Sequence, residues 1–230
     1  MKTCPFTKSY DGRRVLSMPE FEWETGKIYA VIGANGSGKS TLAKVLSGAE
    51  RSDDRHAILS VGSIGYLPQK PYAFRMRVDK NLFLNGNDSQ RAQQLLEALG
   101  LDRLRRKRAH RLSGGETAKL SLARLLMRDY ALLILDEPTA SMDMESTLAA
   151  ESLICKYRDA TDCTVILITH SLQQARRIAD RVLYLEAGAL EESGDIKPFL
   201  REPNTPSARR FLQFFGFDEQ HQKEALYEVN

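Results

Sequence analysis

The stretch Gly33-Ala34-Asn35-Gly36-Ser37-Gly38-Lys39-Ser40-Thr41 decides how this chain of 230 residues is read. An apolar run, Ile28-Tyr29-Ala30-Val31-Ile32, leads into it and has the unbroken hydrophobicity of a buried strand. Leu42, Val45 and Leu46 follow at helical spacing. Strand, glycine-rich turn, then helix is the setting in which G-x-x-x-x-G-K-[ST] forms a phosphate-binding loop. Its glycines let successive backbone N–H groups converge on phosphate oxygens, and the helix N-terminus adds partial positive charge. In such a loop the segment from Gly33 through Thr41 cradles the phosphates. Within it the Lys39 ammonium reaches the β- and γ-phosphates, and the Ser40 hydroxyl is a Mg2+ ligand. The stretch predicts a site for a nucleoside triphosphate.

The length allows one large α/β domain or two small ones. A hydrophobic share of 42% against 27% charged residues excludes a disordered chain and describes a globular one. A formal charge of +3 is too small to argue for nucleic acid. The basic run from Arg103 to Arg111 carries no interleaved aromatic residues and reads as a solvated face, so no nucleic-acid partner is expected. No run approaches a membrane span, and the N-terminus lacks a signal-peptide core. Cys4, Cys155 and Cys163 are odd in number and fit no metal-ligand spacing, as expected of reduced thiols in the cytoplasm.

Before the loop the pattern is one of short strands. Asp11-Gly12 signals a hairpin turn, and Phe21 and Trp23 alternate with glutamates as in a strand with one wet face. Ser63–Leu67 is a further strand candidate, closed by Pro68, and residues 77 to 112 look helical. Within them Ala92, Leu95, Leu96 and Leu99 share a face behind an N-cap at Asp88 or Ser89, and Gly100 ends the helix. Strands at Leu132–Leu135, Val165–Ile168 and Val182–Leu185 alternate with helices at Met144–Tyr157 and Leu172–Ile178, which predicts parallel pairing. A short strand at Ala189–Leu190 follows. Pro198, Pro203 and Pro206 then break the chain before a last helix near Ala208–Phe214, and a polar, frayed end is expected from about Asp218.

Two more stretches carry chemistry. Ala131-Leu132-Leu133-Ile134-Leu135-Asp136-Glu137 is an apolar strand ending in two carboxylates, at the strand end where ligands bind in parallel sheets. Asp136 is placed to hold Mg2+ through its water shell, and Glu137 to polarise an attacking water. Leu112-Ser113-Gly114-Gly115-Glu116 directly precedes a helix and offers a hydroxyl, two bare backbone N–H groups and a helix N-terminus, a second phosphate site. Its economical explanation is that it serves nucleotide held by another copy of the chain. Taken singly, Tyr10, Gln69 and His170 also have plain readings, as a strand-end packing residue, a loop residue and a structural histidine.

Together these stretches resemble an ATP-binding cassette (ABC) nucleotide-binding subunit of the single-cassette bacterial type, from about Lys8 to Leu190. Tyr10 matches that family's adenine-stacking aromatic, and Gln69 in Tyr66-Leu67-Pro68-Gln69 its glutamine after a short strand. Leu112–Glu116 matches its L-S-G-G-Q signature with Glu116 for Gln. Ala140-Ser141-Met142-Asp143 matches its D-loop, and His170 in Ile168-Thr169-His170 its switch histidine.

The resemblance implies an α/β P-loop NTPase fold of the ABC ATPase kind. It has a mainly parallel sheet core, a small N-terminal antiparallel β part and a helical subdomain at about 72–130. All belong to one domain over residues 1–230, with a short tail at about 215–230. It implies ATP and Mg2+ as cofactors, Ser40, Gln69 and Asp136 around the metal, and Glu137, His170 and Gln69 as catalytic. Two copies would sandwich two ATP molecules head to tail. Each ATP would lie between Lys39 of one and Ser113, Gly114 and Gly115 of the other, with Asp143 communicating between copies.

The implied role is the motor of a transporter, import favoured, at the inner face of the cell membrane. Its permease subunits are separate chains, gripped by Gln69 and segment 72–112, and a solute-binding protein is a further partner. The segment Phe211–Gly216 resembles oxyanion importers of the tungstate and molybdate kind. An iron–sulfur assembly ATPase is the alternative. Three departures stand out: Glu116, which brings a carboxylate to the signature; Lys119, where the family usually has Arg; and a short span between Lys39 and Gln69, which predicts a trimmed antiparallel part.

Overall fold

The computed structural model describes residues 1–54 and 62–217. Its elements run in the order β1 (Lys2–Thr3), β2 (Phe6–Tyr10), β3 (Arg13–Met18), β4 (Phe21–Glu22), β5 (Ile28–Ile32), α1 (Lys39–Leu46) and β6 (Ile64–Leu67). Then come α2 (Val78–Leu82), α3 (Ser89–Ala98), α4 (Gly114–Leu125), β7 (Leu132–Asp136), α5 (Met144–Thr161), β8 (Thr164–Ile168) and α6 (Leu172–Ile178). β9 (Arg181–Glu186), β10 (Ala189–Asp195), α7 (Ile196–Arg201) and α8 (Pro206–Phe214) complete it. The chain forms two compact units, one built from both of its ends and one from its middle, and passes from the second back to the first within β8.

In the first unit the strand order is β2-β3-β10-β9-β5. β5 and β9 are parallel, β9 and β10 antiparallel. The hairpin turn at Asp11-Gly12 is present, with φ of 49° and 76° at its two residues, the primed geometry that suits twisted strands. All five residues of β5 are buried, as their unbroken hydrophobicity predicts. One face of the sheet is covered by α6, α7 and α8 through Leu172, Ile196, Phe199 and Leu212, packed on Ile32 and Tyr184. At the other end of the chain β1 pairs with β4, and Trp23 is buried edge-on against Phe21 and Tyr29.

In the second unit β6 and β7 are parallel, with Leu67 opposite Leu135. The predicted helical stretch 77–112 is not continuous: α2 and α3 are separate, and 102–104 and 109–111 are single 3-10 turns. The reason lies in the backbone of the basic run. Val78, Asp79 and Ala109 donate to Lys107, Arg105 and Met76 carbonyls, so this segment is laced to the start of α2 and keeps only short i+3 bonds of its own in place of a continuous helix. Asp88, not Ser89, caps α3, accepting from the N–H groups of Gln90 and Arg91.

Three other expectations are corrected. The strand around Phe21–Trp23 is only two residues long, β10 extends to Asp195, and two of the three prolines open helices instead of breaking the chain. Pro206 is the first residue of α8 behind the Thr205 cap, and Pro198 lies in the first turn of α7, where a missing N–H costs nothing. The frayed end expected from Asp218 and part of the short span before Gln69 lie outside the described residues.

The turn into β7 is held by Tyr157 of α5. Its hydroxyl accepts from the Tyr130 N–H at 2.9 Å and donates to the Arg128 carbonyl at 3.0 Å. Tyr157→Phe leaves a buried N–H unsatisfied, and is expected to destabilise the protein by about 1–3 kcal/mol in chemical denaturation. A loss under about half a kcal/mol would contradict that role.

Candidate nucleotide site and signature helix

The loop after β5 is shaped by glycines in conformations that side chains rarely adopt. Gly33, Gly36 and Gly38 have φ of 148°, 79° and 99°. A Cβ at Gly33 would lie 2.1 Å from the Leu185 carbonyl oxygen of β9, so any other residue there would force strand and loop apart. α1 begins behind Gly38 with no side chain capping it. The Lys39 side chain is buried and turns back over the loop, its ammonium donating to the carbonyls of Gly33 and Ala34 at 2.8 Å each. The Ser37 hydroxyl is buried and has no hydrogen-bond partner among the described residues. A helix start without a side-chain cap, a buried ammonium and an orphaned hydroxyl in one loop fit a polyphosphate, whose oxygens accept from all three.

Tyr10, at the end of β2, belongs to the same unit and is partly exposed. His170 follows β8 and is exposed. The adjacent Thr169 N–H reaches the Val31 carbonyl at 3.4 Å, which sets His170 beside the strand that feeds the loop.

The second unit carries the remaining candidates. Asp136 ends β7 and is buried, while Glu137 has φ of 52°, a left-handed backbone that costs a non-glycine residue on the order of 1–3 kcal/mol. Such strain is characteristic of functional turns. Gln69 is exposed two residues beyond Leu67, so Gln69 and Asp136 lie past the same ends of adjacent parallel strands. Asp143 caps α5 through the Ser146 N–H at 2.7 Å, and that bond holds its carboxyl below the usual carboxylate range. The hydroxyl of Ser40, the amide of Gln69 and the carboxylate of Asp136 are hard oxygen donors of the kind that suits Mg2+.

The signature opens α4. Ser113 is the N-cap, and its hydroxyl accepts from the Glu116 N–H at 3.2 Å. The Glu116 carboxylate reaches back to accept from the Ser113 N–H at 2.7 Å and pairs with Lys107 at 3.4 Å. These partners hold it below the usual carboxylate range. The departure from the family's Gln is thus absorbed by a reciprocal cap. The S-x-x-E spacing was a readable signal for it, overlooked beside the phosphate reading. Gly115 makes a close approach that only glycine allows: a Cβ there would be 2.7 Å from the Ser141 carbonyl oxygen. Lys119, in place of the usual Arg, donates to the Ser146 hydroxyl at 3.0 Å. Signature helix and D-loop are therefore packed directly on one another.

Arg124 was not singled out from sequence. Its guanidinium lies 4.7 Å and 5.1 Å from the ring centres of Tyr72 and Phe74 and donates to the Tyr72 carbonyl at 3.0 Å. Both rings are exposed, and Asn81 pins the loop beneath them through the Phe74 backbone.

A strand, a left-handed glycine turn and a helix opening on a buried lysine define a P-loop nucleotide-binding protein. The ABC transporter family profile matches residues 16–140. The chain is 38% identical over 201 residues to the tungstate uptake system ATP-binding protein TupC of Peptoclostridium acidaminophilum, covering 81% of this chain and 94% of that one. It is 34% identical over 184 residues to the zinc import ATP-binding protein ZnuC of Photobacterium profundum, covering 78% and 72%. Among solved structures, a putative metal-chelate type ABC transporter in an inward-facing conformation superposes with a TM-score of 0.75 at 26% identity, covering 91% of this chain and 88% of that one. The chain belongs to the ABC transporter family. It hydrolyses ATP, used with Mg2+.

The reciprocal cap makes a pH prediction. A carboxyl whose folded pKa is depressed contributes stability that is present above the unfolded value, near 4.5, and is lost as pH falls through the folded one. Glu116→Gln keeps an acceptor but no charge. The melting-temperature difference between wild type and this variant is expected to favour wild type at neutral pH, to shrink as pH falls below 4.5 and to vanish once pH lies below the depressed folded value. A difference independent of pH would contradict the assignment.

Proposed function

We propose that this chain is the ATP-driven motor of an importer and works as a head-to-tail homodimer on separate permease subunits. The observation that carries the reading is that one chain has two helices opening from glycine-rich loops, α1 behind Gly38 and α4 behind Ser113, each suited to phosphate. One nucleotide occupies the first; the second serves the nucleotide of the partner copy. In each composite site Tyr10 stacks on adenine, and Gly33 through Thr41 hold the phosphates with Lys39 on the β- and γ-groups. Ser113, Gly114 and Gly115 of the other copy close over the γ-phosphate.

Ser40, Asp136 and Gln69 would hold Mg2+, which would supply charge neutralisation on the phosphates. Glu137 takes a proton from the attacking water, whose oxygen bonds to the γ-phosphorus as the bond to the bridging oxygen of ADP breaks. His170 fixes the γ-phosphate in line for that displacement. Asp143, through the D-loop packed on Gly115, links the two composite sites.

The whole chain acts as one ATPase domain, with residues 72–130 its helical subdomain. Closure of the dimer is passed to the permease through Gln69 and the surface 72–112, where Tyr72 and Phe74 stand exposed over Arg124. No helix among the described residues is long and apolar enough to cross a membrane; the subunit works at the inner face of the membrane on those permease chains. The similarity to a tungstate uptake ATP-binding protein over 94% of its length supports an oxyanion as solute; a solute-binding protein would deliver it.

Glu137→Gln is expected to lower ATP turnover by roughly 10²–10⁴-fold while ATP binding survives and an ATP-dependent dimer accumulates on gel filtration. Retained turnover would contradict the role of Glu137. The same trapped variant, used as bait in detergent-solubilised host membranes, is expected to hold a strongly apolar partner in stoichiometric amount. Recovery of soluble partners alone would favour an assembly ATPase.

A further inference from the structure

Tyr10 stands out from other exposed aromatic residues because its hydroxyl end is fastened. The phenol donates to the Glu50 carboxylate and interacts with the Thr41 hydroxyl. The other oxygen of Glu50 accepts from the Lys44 ammonium at 2.9 Å, and the Glu50 N–H donates to the Lys44 carbonyl at 3.0 Å. Thr41 and Lys44 both belong to α1, the helix that opens on Lys39. Lys8 lies over the ring at 5.0 Å and is itself held by the Arg51 carbonyl at 2.8 Å. The loop from residue 50 to 54 is stitched to β2 at Thr7 as well, through Asp53 and Asp54. None of these partners was evident from sequence, since Tyr10 and Glu50 lie 40 positions apart.

We infer that Glu50 is a positioning residue: it ties the Tyr10 ring to α1, so that base platform and phosphate loop form one rigid piece. The inference rests on the reading of Tyr10 as the adenine-stacking residue. A tyrosine free to rotate would lose its rotamer freedom each time a nucleotide bound, whereas a tethered ring has lost it already. With a cation on one face, the ring offers its other face to a base. Because the tether ends on α1, the platform keeps a fixed distance from the phosphates. It favours a complete nucleotide over a bare polyphosphate, which engages the loop alone.

The test compares the affinity of the full chain for ATP with its affinity for inorganic tripolyphosphate. Glu50→Ala is expected to weaken ATP about three- to tenfold, as loss of one charge-assisted hydrogen bond in a partly solvated site would. Tripolyphosphate affinity is expected to stay unchanged, and KM for ATP to rise while kcat holds. Glu50→Gln keeps an acceptor for the phenol and is expected to retain most of the ATP affinity. Tyr10→Phe removes the hydroxyl, and adding Glu50→Ala to it should cost nothing more. Equal weakening of ATP and tripolyphosphate by Glu50→Ala, or an undiminished effect in the Tyr10→Phe background, would overturn the role of Glu50. Tyr10→Ala is the separate check on the platform: an unchanged ratio of ATP to tripolyphosphate affinity would overturn the stacking role of Tyr10 itself.

Discussion

A buried hydroxyl with no partner among the described residues, that of Ser37, marks the constraint on which the first unit depends. Burying an unsatisfied polar group costs about 1–3 kcal/mol, and the loop adds the entropic cost of its glycines. Those costs are tolerated where a ligand rich in acceptors completes the hydrogen bonds. The neighbouring elements serve the same end. β9 presents the Leu185 carbonyl so close to Gly33 that the loop admits no side chain there, and the buried residues of β5 and α1 hold strand and helix on either side of it.

The two glycine-flanked helix starts, of α1 and α4, are built differently. α1 begins without a side-chain cap, behind a left-handed glycine. α4 begins with a full reciprocal cap in which Ser113 and Glu116 satisfy each other. A carboxylate at the signature looks hostile to a triphosphate, yet its charge is committed to the Ser113 N–H and to Lys107. The capped start is also the one packed on the D-loop, through Gly115 against Ser141 and Lys119 on Ser146. A change at that helix start is therefore passed directly to the segment 137–143, which carries Glu137 in its left-handed turn.

Much of this was readable in the amino-acid order, and the exceptions have physical causes. Continuous hydrophobicity located β5, β7 and β8 because both faces of such strands are buried, and the glycine spacing located the loop because few other residues tolerate it. The helical periodicity of α3 was readable; the interruption at residues 102–111 was not, because it depends on hydrogen bonds to residues 76–79 that only tertiary structure supplies. Pro198 and Pro206 misled for a different reason: proline stops a helix from within and starts one from its first turn, and the element boundary decides which. The Glu50 tether had no local signal at all.

In the proposed dimer the Lys39 loop of one copy and the Ser113 helix of another act on the same ATP. Neither Lys39→Ala nor Ser113→Arg should hydrolyse ATP alone, since each homodimer lacks one half of both composite sites. A mixture of the two contains dimers in which an intact loop faces an intact signature helix. ATPase activity measured on that mixture, against each variant alone, is the most direct test. Turnover that reappears on mixing and grows with the fraction of mixed dimer is the predicted result. A mixture as inactive as its components would rule out a site shared between two copies.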